Sequence, residues 1–152
     1  MKKAENQEVK EYLIYTTSNI LDGCEVFTRV FGENFARNSL EKNLNSVYTN
    51  VNKGNFEAYS NYENNYIIIC SDKGEFLAPK DIEKDKRLKQ KTVHEGAHMA
   101  LKKSQEECEA NGTKAETGMS TVLKNGKEIG VGLDEGLIVW ILKKAGFPTR
   151  RF

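Results

Sequence analysis

No stretch of this chain is apolar for long enough to cross a bilayer: the longest run is "LIVWIL", Leu137 to Leu142, against the roughly 20 residues that a spanning helix needs. The N-terminus, "MKKAENQEVKEY", carries lysines with no apolar stretch behind them, so a secretory signal is not expected there. Cysteine is sparse. Cys24, Cys70 and Cys108 are odd in number and far apart, so they form neither a disulfide framework nor a CxxC metal pair, and reduced thiols in a cytosol are expected. Net charge is nearly absent too: Lys+Arg of 23 against Asp+Glu of 22 leaves +1, with no general pull toward nucleic acid or anionic membrane surfaces. The basic stretch "KDIEKDKRLKQK", Lys80 to Lys91, interleaves acids and lacks aromatics, so it reads as a solvated face rather than a nucleic-acid surface. There is no repeat, low-complexity tract or Pro/Gly/Ser linker. These absences predict one soluble, cytoplasmic domain over residues 1–152, with neither nucleic acid nor membrane as a partner.

Periodicity places the chain in the α+β class. The first 50 residues read as mostly helical, with Val9, Tyr12, Leu13 and Ile20 loosely on one face and Leu40, Leu44, Val47 and Val51 at helical intervals. Cys24 to Phe35 suits either a helix or a buried turn. Then Phe56, Ala58 and Ser60, the polar turn "NYENN" and the run Tyr66 to Cys70 predict two strands. A loop ending at Pro79 leads to a helix from about Asp81 or Lys86 to Lys103, apolar at Leu88, Val93, Ala97, Ala100 and Leu101. Asn125-Gly126 predicts a type I′ turn between strands Ser120–Leu123 and Glu128–Val131. A last helix is expected from near Asp134 to before Gly146. "LIVWIL" makes that helix apolar on every side, so full burial is expected: under the N-terminal helices, a second subunit in a homodimer, or further sequence. The domain thus divides into a helical part, about 1–60, and a core, 61–152.

Histidine is scarce as well: the chain has two, both in "VHEGAH", residues 93 to 98. On a helix, His94 and His98 lie on one face about one turn apart and can direct ring nitrogens at a single point. Zinc accepts such nitrogens at about 2.0 to 2.1 Å. Glu95, rotated about 100° around the axis, reaches a metal-bound water without displacing it, which is the place of a general base beside a Lewis acid. Chance places an HExxH in roughly one such chain in 700. With no histidine left, the third ligand must be Asp, Glu, Cys or solvent, and "MALKKSQEEC" after His98 excludes the HExxHxxGxxH pattern. "GVGLDEGLIVW" offers Glu135 in a first helical turn, where free N–H groups favour a carboxylate and Gly132 and Gly136 admit another backbone. Cys108 and Asp134 are the other candidates, although Asp134 has a sufficient structural reason as a helix N-cap. Gly96, about 1 kcal/mol worse than alanine inside a helix, reads as a close approach of strand or substrate, or as mere tolerance.

HEGAH, followed later by "LDEGL", resembles the gluzincin zinc metallopeptidases, the thermolysin-like clan in which a later helix supplies a glutamate as third ligand. "GVGLDEGL" is similar to the "GLNEGLTE" segment of small bacterial HExxH proteins of that type. The resemblance covers about residues 66 to 142. It implies a zincin-like fold, one zinc per chain on His94, His98 and Glu135, and Glu95 as general base and proton shuttle. It also implies a peptide or protein substrate added as a strand along Tyr66 to Ser71. Two departures stand out. Val139 occupies the position, one turn after the third ligand, where the family commonly places a carboxylate to orient the first histidine, leaving that task to Asp134, a backbone carbonyl or water. No Tyr or His follows Glu135, so an oxyanion donor has to come from upstream, with Tyr59, Tyr62 and Tyr66 as candidates. A zinc-dependent metallopeptidase is therefore expected; the alternative is a non-catalytic or degenerate zinc-binding regulatory or structural module whose metal holds two helices together.

Overall fold

Helix α1 (Gln7–Asp22) starts where the Asn6 side chain accepts the otherwise unpaired N–H of Val9 at 3.1 Å. The computed structural model describes residues 3–51, 58–70 and 76–149. Val9, Leu13, Thr17 and Leu21, four residues apart, bury one face of α1. The ambiguous stretch after it resolves into α2 (Glu25–Phe31) and a turn with Asn34 at φ 59°. Asp22 then caps the following helix, α3 (Phe35–Asn43), by accepting the N–H groups of Ala36 and Arg37 at 2.9 and 3.0 Å.

The helix expected from Leu40 to Val51 stops at Asn43. Ser46–Val51 form a strand, β2, paired antiparallel with β1 (Ala4–Glu5) and parallel with β4 (Tyr66–Cys70). Leu44, Val47 and Val51 fit a helical period, but Val47, Thr49 and Val51 fit a period of two equally well. Branched side chains with a pairing strand on each side decide for the sheet. The expected hairpin is present as β3 (Ala58–Asn61) and β4, antiparallel, giving the order β1-β2-β4-β3; Phe56 and Ser71 lie outside the described residues. Its register pairs Ala58 with Ile69 and Ser60 with Ile67, so these residues and Val47 face the helices. Tyr48, Tyr59, Tyr66, Ile68 and Cys70 cluster on the opposite face. The strand expected to receive a substrate, β4, lies between β2 and β3 and has both edges in use; among the described residues the edge strands are β1 and β3, and of these β3 packs on α5.

Of the two starts expected for the helix before Lys103, the later one holds: α5 runs Lys86–Ala100, and the residues before it form a separate short helix, α4 (Pro79–Lys84), with Pro79 at the first helical position. They break at Asp85, whose extended backbone lets its carboxylate cap α5 at the N–H of Leu88. Helix α5 is central, packed on α1, α3, α4, β3 and the C-terminal helix. Beyond it Lys102 leaves the helix and bridges to Thr117. Helix α6 (Gln105–Ala110) and a second antiparallel sheet follow: β5 (Thr113–Thr117), β6 (Ser120–Leu123) and β7 (Glu128–Ile129). Strand β5 was not expected. Nor is the β6–β7 turn type I′, because only Gly126 takes a positive φ, 87°. Leu123 N–H bonds Lys127 O across a three-residue loop, the form in which a left-handed glycine makes a bulge.

Helix α7 (Val131–Lys144) begins earlier than expected, with Gly130 as N-cap, so Asp134 lies inside the helix and is not its cap. It buries Asp134, Ile138, Ile141 and Leu142, while Leu133 and Trp140 are 65% and 50% exposed. The expected burial on all sides does not hold, since α7 packs through one face. None of the described helices is long and apolar enough to cross a membrane.

Candidate metal centre

His94 and His98 sit one turn apart on the inner side of α5, both buried, and their Nε2 atoms meet at 3.1 Å. Helix α7 brings Glu135 to the same point: Oε2 is 2.7 Å from His94 Nε2 and Oε1 is 2.9 Å from His98 Nε2. These are the three residues the sequence singled out, and their donor atoms lie within 4.8 Å of one another. A tetrahedral zinc with ligands at about 2.0 to 2.1 Å holds its donors roughly 3.3 Å apart. Small outward shifts of the three side chains therefore accommodate the ion, and two imidazoles with one carboxylate are a donor set suited to it.

The orientation of His98 has a visible cause. Its Nδ1–H donates to Asp134 Oδ2 at 2.8 Å, which turns Nε2 toward the cluster, so that loss of the Nε2 proton gives the tautomer that a metal ligand needs. Asp134 is 2% exposed, and its other oxygen accepts the backbone N–H of Met119 at 3.0 Å. Gly118, at φ +54°, makes the approach possible, since a Cβ there would stand 2.1 Å from Asp134 Oδ1. The orienting carboxylate absent at Val139 is thus supplied by the residue before Glu135, and it serves the second histidine. The Thr117 hydroxyl donates to the His98 carbonyl and ties the end of α5 to β5.

Burial opposes charge on His98, but hydrogen bonds to Asp134 and Glu135, reinforced by Glu95, outweigh it and push its pKa up to about 10. Hydrogen bonds from His94 and His98 hold Glu135 well below the usual carboxylate range.

Glu95 follows His94 around the helix toward the sheet, where Ser60 Oγ donates to its Oε1 at 2.9 Å. The period of two that turns Ser60 toward α5 continues to Tyr62, whose ring lies 6.2 Å from that of His98. Burial raises the Tyr62 pKa, and the fields of Glu95, Asp134, Glu135 and Glu128 raise it further. Tyr59 and Tyr66 belong to the opposite face of the sheet, so Tyr62 alone of the three candidates faces the site. Cys108 is buried in α6 and takes no part in the cluster. Gly96 neither meets a strand nor lines a substrate path: a Cβ there would meet Thr17 Oγ1 of α1 at 2.5 Å. Sequence reasoning missed Ser60, Gly118 and the Met119 N–H; the alternation of Ala58, Ser60 and Tyr62 was the one readable signal for the first.

Comparison with family models, with curated proteins and with solved structures finds no match to this chain.

Proposed function

We propose that the chain is a zinc-dependent hydrolase of minimal, zincin-like gluzincin architecture that cleaves peptide bonds. The observation that carries this is the convergence of His94, His98 and Glu135 beside a glutamate, Glu95, held by a hydrogen bond from the sheet. The Glu135 side chain is 37% exposed, so the cluster opens to solvent on that side. A catalytic zinc needs such an open position, whereas a structural zinc is closed by protein ligands.

Zinc held by His94, His98 and Glu135 would supply Lewis acidity toward the scissile carbonyl and the attacking water. Glu95 accepts the proton of that water and passes it to the leaving amine, with Ser60 fixing the carboxylate for both transfers. Tyr62, whose ring lies beside that of His98, is the tyrosine that would donate to the oxyanion. An extended peptide would pair with the edge of β3, the strand packed on α5.

Metal analysis by mass spectrometry on wild type, His98→Ala and Glu135→Ala is the first test. One zinc per chain is expected, lost in the first variant and weakened in the second; folded protein that takes up no added zinc overturns the proposal. On a peptide library, Glu95→Gln should keep its metal and lose turnover by about 10²-fold or more. Undiminished turnover would show that Glu95 is not the base.

A further inference from the structure

Helices α2 and α7 share an apolar face that no other described residues cover. Val26 and Val30, one turn apart on α2, are 41% and 71% exposed, and Phe31 is 39% exposed. With Leu137 and Trp140 of α7 they line a hollow of about 210 Å³ whose only charged lining residue is Lys144. Leu133, one turn before Leu137, continues the face toward the start of α7. At roughly 150 to 250 Å² for a large side chain, the exposed parts of Val26, Val30, Phe31, Leu133 and Trp140 come to about 500 Å² of apolar surface. A standard interface takes about 800 Å² from each partner, of which about 65% is apolar in homodimers, so this face is the size that a second copy requires.

Gly136 points to the same occupant. A Cβ at Gly96, Gly118 or Gly130 would strike Thr17, Asp134 or Met119, whereas one at Gly136 would meet nothing within 4 Å among the described residues. It is exposed in the body of α7, where alanine would serve the helix better, and no segment of its own chain uses the space. Bare backbone on an outer helix face admits the close approach of another helix. Leu133, Leu137, Trp140 and Lys144 run beside it at steps of four, three and four residues, the seam of a helix pair. An antiparallel pairing about a two-fold axis between Gly136 and Leu137 sets Gly136 against the partner's Leu137 and Leu133 against the partner's Trp140. Each contact then occurs twice, as a self-complementary interface demands.

We propose that the chain pairs with a second copy of itself through α2 and α7, in an antiparallel α7–α7 contact centred on Gly136 and Leu137, with Leu133 of each copy closing the other's hollow. Glu135 lies about 200° around the helix from Leu133, so the pairing leaves the metal cluster open and stands whether or not the chain binds zinc.

Trp140 is the only tryptophan in the chain, so its fluorescence reads the contact directly. With EDTA present to remove any shared metal, dilution of the full chain should move the emission to the red as sedimentation equilibrium passes from dimer to monomer. Gly136→Leu fills the space of the partner's Leu137 yet has room within one copy. It should weaken pairing about 100-fold or more, while the monomer's melting temperature holds or rises. Leu133→Lys, at an exposed position, should weaken pairing to a similar extent with unchanged circular dichroism. A wild type that is monomeric at every concentration, or a dimer that Gly136→Leu or Leu133→Lys leaves intact, would overturn the proposal.

Discussion

A carboxylate buried as deeply as Asp134 has to be answered by donors, and it finds two from different parts of the chain, His98 Nδ1–H and Met119 N–H. Asp134→Asn keeps the shape but can present an amide NH₂ to a ring nitrogen that must donate. Zinc affinity is expected to fall about 10- to 100-fold, read by competition with a chromophoric chelator, with the fold intact by circular dichroism. Gly118→Ala should produce the same loss through a different atom, because its Cβ would displace Asp134 Oδ1; unchanged affinity in both variants would remove Asp134 from the metal site. In zinc-free protein the folded pKa of His98 is raised from 6.5 to about 10. A raised pKa stabilises the folded state fully below the unfolded value and loses that contribution as pH rises through the folded one. The melting temperature of chelated protein should therefore fall between about pH 6.5 and 10, and His98→Ala should flatten the fall.

Among the elements, the close approach of α1 to α5 gives the sharpest test. Helix propensity alone says that Gly96→Ala should stabilise α5 by about 1 kcal/mol. Contact says the reverse: the new methyl would meet Thr17 Oγ1 at 2.5 Å and Leu13 Cδ2 at 3.2 Å, with Thr17 itself fully buried and stiff at χ1. A net loss of about 1 to 3 kcal/mol in urea unfolding is expected, and Thr17→Ala in the same chain should recover part of it. Net stabilisation by Gly96→Ala would mean that the helices are not in that contact. Helix α7 shows how an apolar segment misleads. "LIVWIL" is apolar all round, yet of it only Ile138, Ile141 and Leu142 are buried, with Leu137 packed against them at the margin, because a helix packed on one neighbouring layer has one face to bury.

Across the whole molecule, one apolar core runs from Val9 on α1 through Ile67 and Ile69 of the sheet and Val93 of α5 to Leu142 on α7. The elements that carry His94, His98 and Glu135 are thus already joined by apolar packing. Chelation is expected to leave most of the helical circular dichroism and cooperative melting; collapse of both on adding EDTA would favour a structural zinc, whose binding free energy is folding free energy. Much of the site was legible in the sequence because it is local. The i, i+4 geometry of His94 and His98, the place of Glu95 beside them and the β3–β4 hairpin follow from the periods of a helix and a strand, which covalent geometry sets within a few residues. Leu44 to Val51 was not legible, since its pattern satisfies both periods and only pairing with β1 and β4 selects one. The part of Asp134 was legible only in outline, as one of three options for orienting His94, and its turn to His98 was hidden for a similar reason. A carboxylate at that position caps a helix on sequence grounds, and what turns it toward His98 is the landing of Gly118 and Met119 on α7, a contact between segments that only the packed fold brings together. Sequence by itself determined which side chains could share a metal; the tertiary structure decided which of them meet and what holds them in place, because convergence of distant segments depends on long-range packing that no local period records.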